Sequence, residues 1–250
     1  VPKYAALAAK YASASDMYGS SHPSLPNYLA LTGGSTFGIS SDCLTCYVNA
    51  DNLGAQLSAK HVTWGDYSES VGSSCYLGTS YGEYAAKHNP FRYYDDIRSS
   101  TSLCGHLHPL TTLTGLLGKS ASAVPAFSFI TPNLCDDGHD CSPSVASAWL
   151  TTFLGKLTGS AAYRDHGLVI VTWDEASDSD TSSISPSGKV SASGGGGHVL
   201  TLFAAPGVPR GTVVHAPLDH EALLATIEKD FGLPYLGGAA AWSSHTLSLP

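Results

Sequence analysis

The segment GLVIVTWDE at 167–175 constrains the fold of this chain more than any other stretch of its sequence. Its apolar residues form a continuous run rather than an alternating pattern, which is typical of a strand buried on both faces of a sheet. Two further runs, AFSFITP at 126–132 and HVLTLFAAPG at 198–207, are also predicted to be strands. A sheet buried on both faces needs helices on both sides, so these runs predict an α/β fold with a mostly parallel central sheet.

The segments between these strands supply the helices that such a fold needs. Their sequence patterns predict helices at 4–12, 51–60, 143–160 and 219–232. Asp51 is the expected N-cap of the second helix, Asp219 caps the fourth, and Gly232 ends it. Because strands and helices alternate along the whole length, we expect one domain over residues 1–250.

The stretch 176–197 lies between the last two predicted strands and has no hydrophobic period. It is rich in serine and glycine, which is typical of a mobile loop. Since the strands on both sides belong to one sheet, we interpret it as a loop within the domain rather than a linker.

The hydrophobic content and the charge balance exclude several classes of protein. Hydrophobic residues make up 43% of the 250 residues, so the chain can bury a core and is not disordered. The formal net charge is −8, with 20 acidic against 12 basic residues, which argues against a nucleic-acid partner. No run of about 18 apolar residues is present, so stable membrane insertion is not expected.

Six cysteines indicate an oxidising compartment. Two close pairs predict the disulfides Cys43–Cys46 and Cys135–Cys141, and elimination leaves Cys75–Cys104. The Cys-x-x-Cys spacing at 43–46 also occurs in zinc sites, but a second such pair or a matching histidine pair is missing. The chain does not open on methionine, and together with the cysteines this leads us to expect a processed, secreted protein.

Asp174 and Glu175 directly follow the strongest predicted strand. In open α/β sheets, ligands bind beyond the carboxyl ends of the strands. Adjacent carboxylates that leave a buried strand repel each other unless they share a cation or a proton, so a hard divalent cation is the expected occupant. The alternative is that Asp174 caps a turn while Glu175 faces solvent.

A second acidic cluster, NLCDDGHDC at 133–141, follows the predicted strand at 126–132. A disulfide between Cys135 and Cys141 would hold His139 beside several carboxylates. A histidine in that setting can act as a general acid near neutral pH. Asp-Asp-Gly is also ordinary turn chemistry, so a plain surface turn is the alternative.

The segment SHPSLPNY at 21–28 fixes the backbone around one small hydroxyl, that of Ser24. Prolines on either side restrict φ and keep the residues before them out of helical geometry. The following YLAL predicts a helix, so Ser24 would lie at a helix N-terminus, where free N–H groups favour an anionic substrate. Asn27 is predicted to donate its amide to the same anion, and an ordinary turn is the alternative.

The segment GTSYG at 78–82 matches the G-x-S-x-G pattern of serine esterases. That pattern needs a strand before Ser80 and a helix after it, and the preceding SVGSSCYL is a poor strand. Asp219 and His220 would be the partners of Ser80, although their adjacency makes it hard for one to orient the other. A carboxyl-esterase that uses Ser80 is therefore an alternative function.

Five segments together resemble the phosphoesterase family of bacterial phospholipases C and acid phosphatases, within the alkaline phosphatase superfamily. They are SHPSLPNYLALTGG, KHNPFRYYDDI, FSFITPNLCDDGHDCS, VIVTWDE and LDHEALLATIEKDFGLP, which occur in the family's order over nearly the whole chain. The Ser-x-Pro-Asn in the first segment is also similar to the Thr-x-Pro-Asn of nucleotide pyrophosphatases, whose hydroxyl residue is the nucleophile. The resemblance implies a single alkaline-phosphatase-like domain that hydrolyses phosphate esters.

The same resemblance implies roles for residues at the first and fourth segments. Ser24 is the expected nucleophile and a metal ligand, and Asn27 is expected to hold a phosphate oxygen. Asp174 and Glu175 match the acidic pair that binds metal in the family.

Three histidines also match positions in the family. His139 matches a histidine thought to transfer protons, and His88 matches one near the substrate phosphate. His220 matches a recurrent position that we assign to substrate binding. A structural hydrogen bond is the alternative role for His88 and for His220.

One part of the family pattern is missing. Family members begin with a strand that ends in Glu-Asn and supplies further metal ligands, and no Glu-Asn occurs in this chain. The chain opens with VPKYAALAAKYA, which resembles the helix after that strand. Because a sheet without an inner strand exposes unpaired backbone, an incomplete or processed chain is the favoured interpretation.

The predicted function is that of a secreted, metal-dependent phosphoesterase that works through a phospho-serine. One or more Mg, Ca, Mn or Zn ions would suit the visible ligands. We expect a monomer, and a small-molecule or phospholipid-derived phosphate ester, either a monoester or a diester, as its substrate. The second alternative is a secreted binding protein with the same fold and no turnover, as the absent Glu-Asn would allow.

Overall fold

Nine α-helices are present in residues 1–249, the part of the chain that the computed structural model describes. In chain order they are α1 (Pro2–Lys10), α2 (Ser24–Gly33), α3 (Leu53–Ala59), α4 (Asp95–Ser99), α5 (Thr101–Cys104), α6 (Leu110–Leu116), α7 (Pro143–Thr158), α8 (Ala161–Arg164) and α9 (His220–Phe231). Short 3₁₀ turns occur at Ala86–His88, Pro90–Tyr93, Ala121–Ala123 and Gly237–Trp242. Among the helices of this described part, none has the length and apolar character needed to cross a bilayer.

Thirteen short strands accompany these helices over the same described range. They are β1 (Ala12–Ala14), β2 (Met17–Tyr18), β3 (Trp64–Ser68), β4 (Ser80–Tyr81), β5 (Tyr84–Ala85), β6 (Leu107–Pro109), β7 (Phe127–Thr131), β8 (Val169–Val171), β9 (Ser183–Ile184), β10 (Val190–Ser191), β11 (Leu202–Ala204), β12 (Val213–Val214) and β13 (Leu218–Asp219).

Two main sheets form the interior. One has the order β6-β3-β7 and is parallel throughout, with Asp66 of β3 opposite Phe129 of β7. The other has the order β12-β1-β11-β8, and β11 runs antiparallel to both of its neighbours. Helix α1 packs against α7 and helix α2 packs against α9, so the sheets are covered by helices as the α/β prediction requires.

The facing edges of the two sheets border a large cavity. Strands β7 and β8 each have a hydrogen-bonded strand on one side only, among the elements of residues 1–249. A cavity of about 1130 Å³ is lined by every residue of both strands, together with apolar side chains of α7 and α9 such as Phe153 and Leu223. We call this space the inter-sheet cavity. Within residues 1–249, the two sheets are therefore connected by helix packing, and no backbone ladder joins them.

The structure confirms the predicted fold class and refines several of its elements. The helices predicted at 143–160 and 219–232 are α7 and α9, and Asp219 caps α9 by accepting from the Ala222 N–H at 2.8 Å. The cap of α3 is Asn52 and not Asp51, because Asn52 is the residue whose side chain reaches the Ala55 N–H.

The strand predicted at 167–175 is shorter and more exposed than its sequence suggests. Only Val169–Val171 pairs with a neighbour, and all three of these residues are half-buried. The prediction of burial on both faces is wrong because β8 is an edge strand beside the inter-sheet cavity.

The serine- and glycine-rich stretch 176–197 contains a small hairpin. Strands β9 and β10 pair within it, and Gly195, Gly196 and Gly197 are buried. The Gly196 N–H donates to the Gly19 carbonyl at 2.8 Å, which ties this end of the loop to the segment before α2. Mobility of the remainder stays a prediction.

All six cysteines are paired as predicted, in Cys43–Cys46, Cys75–Cys104 and Cys135–Cys141. The first and third close short loops of the chain, at 43–46 and 135–141. No cysteine of the chain is left as a free thiol among the described residues, which excludes the zinc interpretation of the Cys-x-x-Cys spacing.

Candidate active site

Ser24 is the first residue of α2 and is only 3% exposed. Pro23 precedes it in an extended conformation and Pro26 lies in the first turn, so the two prolines fix where the helix starts. The Ser24 hydroxyl donates to Glu175 Oε1 at 3.3 Å. The structure thus brings the predicted nucleophile to a helix N-terminus and next to the predicted acidic pair.

Asn27 holds the loop that leads into Ser24. Its Oδ1 accepts from the Ser20 and Ser21 N–H groups at 2.8 and 2.9 Å, and its Nδ2 donates to the carbonyls of Ser21 and Pro23 at 2.8 and 3.1 Å. Asn27 is fully buried, and both of its amide hydrogens are used within this loop. In this geometry Asn27 positions the loop before Ser24, and its contact with a phosphate oxygen stays a prediction.

Asp174 and Glu175 lie beyond the end of β8, as predicted, and both line the inter-sheet cavity. Burial raises the pKa of the Glu175 carboxyl, and the neighbouring charge of Asp174 raises it further. Hydrogen bonds from His22 and Ser24 to Glu175 offset only part of this increase. The pair therefore carries an excess of negative charge in a half-buried position.

His22 is a site residue that the sequence analysis missed. Its Nδ1 lies 2.5 Å from Glu175 Oε2, and its Nε2 lies 2.9 Å from the Asp180 carbonyl oxygen. Burial disfavours the imidazolium, but the Asp180 carbonyl and the Glu175 carboxylate outweigh burial and raise the pKa of His22. Its position two residues before Ser24, in the same motif, was the signal that could have identified it.

His88 lies on the other side of Ser24. Its Nε2 is 3.4 Å from Ser24 Oγ, and its ring stacks on Tyr28 with the centroids 5.3 Å apart. Its Nδ1 is 3.0 Å from Asp137 Oδ2, although the two atoms are not aligned as a hydrogen bond. His88 is 4% exposed and is the imidazole that faces the predicted nucleophile.

His139 lies near His88 in the loop closed by Cys135–Cys141, with the two ring centroids 5.7 Å apart. Its Nδ1 lies 2.6 Å from Asp140 Oδ1, and its Nε2 lies 3.0 Å from Lys87 Nζ. Lys87 also donates to Asp42 Oδ2 at 2.8 Å. Neither Lys87 nor Asp42 was predicted from the sequence, and only Lys87 had a signal there, its position beside His88.

His220 lines the inter-sheet cavity but is itself deeply buried. It is 1% exposed, its Nδ1 lies 3.3 Å from Ser20 Oγ, and its Nε2 lies 3.1 Å from the Trp173 carbonyl oxygen. Burial lowers the pKa of His220, which keeps the ring neutral at physiological pH. Both ring nitrogens connect α9 to other segments of the chain, and the substrate contact of His220 stays a prediction.

The esterase pattern around Ser80 lacks the structural setting that it requires. Ser80 is exposed and lies in β4, which pairs with β5 as a two-stranded hairpin. The residues after it form the turn at Gly82 and then β5, and not a helix. His220 is hydrogen-bonded to Ser20 and Trp173, and Asp219 caps α9, so neither is arranged as a partner of Ser80.

The oxygen atoms near Ser24 have the chemistry that a divalent cation requires. Asp174, Glu175 and the Ser24 hydroxyl are hard oxygen donors, and burial followed by the charge of Asp174 raises the pKa of Glu175. Within residues 1–249, no cluster of three or more His, Cys, Asp or Glu side chains is placed to hold a metal ion. Two carboxylates and one hydroxyl have the chemistry of a partial donor set for a divalent cation.

The fold is similar to that of solved structures in the alkaline phosphatase superfamily. A protein of that superfamily from Vibrio parahaemolyticus superposes with a TM-score of 0.58 at 12% identity, covering 99% of this chain and 64% of its own. Human ectonucleotide pyrophosphatase / phosphodiesterase 5 superposes with a TM-score of 0.54 at 11% identity, covering 99% of this chain and 94% of its own.

The chain belongs to the Phosphoesterase family, whose sequence model matches residues 1–234. It is 31% identical over 226 residues to a phosphate-repressible acid phosphatase of Penicillium chrysogenum, covering 87% of this chain and 51% of that protein. It is 30% identical over 236 residues to a phosphatidylinositol-3-phosphatase of Mycobacterium tuberculosis, covering 93% and 70%. The chain spans about half the length of the fungal acid phosphatases that it matches.

Proposed function

We propose that the chain hydrolyses a phosphate ester with Ser24 as the nucleophile. The observation that carries this proposal is the position of the Ser24 hydroxyl, 3.3 Å from Glu175 Oε1 and 3.4 Å from His88 Nε2. A hydroxyl between a carboxylate and an imidazole, with a further carboxylate behind the imidazole, has the parts of an activated nucleophile. Membership of the Phosphoesterase family and the activities for which its relatives are named support phosphate esters as the substrate class.

The reaction would have two steps. Ser24 Oγ attacks phosphorus and forms a phospho-serine, while His88 Nε2 takes the serine proton and passes it to the departing alkoxide. A water then attacks the phospho-serine, its proton returns through His88 to Ser24, and phosphate or a phosphomonoester leaves. Asp137, beside His88 Nδ1, would keep the imidazole directed at Ser24 in both steps.

A divalent cation would be held by Asp174, Glu175 and Ser24. When bound, such an ion would polarise the phosphoryl oxygen and lower the pKa of the serine hydroxyl. Magnesium, calcium, manganese and zinc all accept oxygen ligands, so the donor set leaves the choice among them open. His22, which contacts Glu175 Oε2, would fix the rotamer of that ligand.

A phosphomonoester is the proposed substrate in preference to a diester. The relatives that the chain matches bear the names acid phosphatase and phosphatidylinositol-3-phosphatase, and these names describe monoester hydrolysis. Three disulfides fit a secreted enzyme. The alcohol of the substrate is either small or derived from a phospholipid.

The test compares an aryl phosphate monoester with the matching choline-type diester, each with and without a chelator. We expect chelator-sensitive turnover, faster on the monoester. Ser24→Ala should lower kcat by roughly a thousandfold or more, since it removes the hydroxyl that lies between Glu175 and His88. Ser80→Ala is the matched control and should retain the activity.

Three results would contradict this proposal. Ser24→Ala with near-native turnover would remove Ser24 from the reaction. Loss of activity in Ser80→Ala, with hydrolysis of a carboxyl ester, would favour the esterase. Binding of the phosphate ester without any turnover, in protein saturated with each of the four cations, would favour a binding protein.

A further inference from the structure

Lys87 lies beside the candidate active site, and its side chain contacts residues of two other segments. It belongs to the 3₁₀ turn Ala86–His88, and its side chain is 18% exposed. Its Nζ lies 2.8 Å from Asp42 Oδ2 and 3.0 Å from His139 Nε2. One ammonium group therefore contacts two segments that are far apart in sequence, each carrying a short disulfide loop.

The contact with Lys87 decides the tautomer of His139. An ammonium has three donor hydrogens and no acceptor, so His139 Nε2 must present its lone pair to Lys87. The ring proton then resides on Nδ1, which lies 2.6 Å from Asp140 Oδ1 and donates to it. In this arrangement, His139 is neutral and has no proton on the nitrogen that faces Lys87.

The contacts of Lys87 also complete a ring that begins and ends at the nucleophile. Asp42 Oδ1 accepts from the N–H of Leu25, the residue after Ser24, at 3.0 Å. In the other direction, the backbone N–H of His139 donates to Asp137 Oδ1 at 2.8 Å. Asp137 Oδ2 in turn faces His88, which faces Ser24. Each side of Ser24 is thus connected to Lys87 through polar contacts.

We propose that Lys87 is a positioning residue of this site, which holds His139 as the neutral Nδ1–H tautomer and fixes the first turn of α2 through Asp42. This proposal rests on the proposed function and deepens it, because it chooses between two proton donors. With Lys87 in place, His139 has no proton to give to a leaving alcohol from Nε2. His88 is then the residue that transfers the proton, and His139 maintains the shape of the site.

The first test is the ¹⁵N NMR spectrum of the histidine side chains at neutral pH, with His139 assigned by His139→Gln. In the unmodified chain, we expect His139 Nε2 to resonate as an unprotonated nitrogen and Nδ1 as a protonated one. In Lys87→Met, which keeps the length of the side chain and removes its charge, we expect the Nε2 resonance to move toward the protonated range. Lys156→Met removes a charge from an exposed helical lysine and should leave the resonance unchanged.

Turnover of the aryl phosphate gives the second test. We expect Lys87→Met to lower kcat by roughly ten- to a hundredfold with little change in KM, because misplacing reacting groups affects the chemical step. Lys87→Arg can keep a cation between Asp42 and His139, so it should recover part of the loss. Unfolding midpoints of all variants separate this effect from a loss of fold.

The two proposals fail in different ways. No turnover by the unmodified chain with each cation present would defeat the proposed function and leave the NMR result to decide the role of Lys87. A protonated His139 Nε2 in the unmodified chain, or the same spectrum in Lys87→Met, would overturn the role of Lys87 whatever the activity. Unchanged kcat in Lys87→Met would overturn it as well.

Discussion

At the scale of single residues, Asp66 is notable as a buried acidic side chain outside the candidate active site. Asp66 of β3 is fully buried, and neither of its carboxyl oxygens has a hydrogen-bond partner in the described chain. Burial raises the pKa of Asp66 to about 8, and the nearby Asn89 amide lowers it only partly. An unpaired carboxylate is costly inside a protein, so Asp66 is held in its protonated form at neutral pH.

Asp66 makes stability depend on pH in a predictable direction. Its folded pKa of about 8 exceeds the ordinary value of 3.8, so between these values the folded chain keeps a proton that the unfolded chain has released. Stability from this group is therefore full below the unfolded pKa and is lost as the pH rises through the folded pKa. Asp66→Asn removes the titrating group, so the variant should be at least about 1 kcal/mol more stable than the unmodified chain by pH 8.

Urea unfolding from about pH 5 to about pH 9 checks this prediction. The fall of the unfolding free energy with rising pH should become less steep in Asp66→Asn without vanishing. Burial also raises the pKa of Asp219 to about 8 and that of Glu228 to about 7. Asp51→Asn, on an exposed residue, is the matched control. Identical pH profiles for Asp66→Asn and the unmodified chain would show that Asp66 has a partner when folded.

The sequence predicted those site residues that lie within one short motif. Ser24 and Glu175 follow local signals, namely a proline-framed serine and an acidic pair after a strand. Asp42 could not be predicted, because its contact with the Leu25 N–H joins residues 17 apart through a loop with no regular period. The backbone contacts of Asn27 could not be predicted either, because a sequence does not show that four backbone groups use its whole amide.

At the scale of single elements, helix α2 depends on how it ends as well as on how it begins. Gly34 follows it with φ of 68°, the left-handed conformation that glycine adopts without strain. A Cβ at Gly34 would overlap the Leu236 carbonyl oxygen, because the chain near Gly237 packs directly on this turn. The end of α2 is thus fixed by backbone conformation and by close packing together.

Gly34→Ala should be considerably more destabilising than an ordinary glycine replacement. We expect a loss of about 2 kcal/mol or more, from strain at positive φ and from displacement of the 236–237 backbone. Gly38→Ala is the matched control, since Gly38 has φ of 74° and open space around its Cα. Urea midpoints measure both effects, and equal losses would mean that the contact with Leu236 contributes nothing.

Strands β7 and β8 differ from β3 in how many of their amides are paired. Strand β3 has a neighbour on each side, whereas β7 and β8 each have one neighbour in the described chain. Their apolar sequences did not predict this difference in the number of paired neighbours, because a pattern of hydrophobic residues reports on the faces of a strand and not on its edges. This is why the sequence overestimated the burial of β8.

Hydrogen exchange should reveal the difference between these strands. We expect the amides of 64–68 to be protected throughout, and roughly half of those in 127–131 to exchange much faster. The same contrast should hold for 169–171 against its neighbour at 202–204. Full protection of 127–131 in the isolated chain would show that its free edge is paired in solution.

At the scale of the whole molecule, the three disulfides serve different purposes. Cys75–Cys104 spans 29 residues, whereas Cys135–Cys141 spans 6 and closes the loop that carries Asp137 and His139. Longer closed loops restrict the unfolded chain more, which gives about 3–4 kcal/mol for the first and about 2 kcal/mol for the second. The short disulfide therefore matters more for the site than for the fold.

Two double variants separate these effects. Replacing Cys75 and Cys104 by serine should lower the unfolding free energy more than replacing Cys135 and Cys141. Phosphate-ester turnover should respond in the opposite order, because only the second pair holds the loop that faces His88. Normal kcat in the folded Cys135→Ser/Cys141→Ser variant would contradict the role assigned to that loop.

The inter-sheet cavity separates the two main sheets, and residues of the candidate active site lie on both sides of it. Glu175 extends from β8 on one side, while Asp137, which faces His88, extends from the loop after β7 on the other. No ladder of backbone hydrogen bonds crosses the inter-sheet cavity within residues 1–249, so the width of the cavity is set by how the helices pack. A change in that packing would alter the separation between the Glu175 carboxylate and the His88 imidazole without breaking a strand pair, so the spacing of the reacting groups depends on helix packing rather than on the sheets.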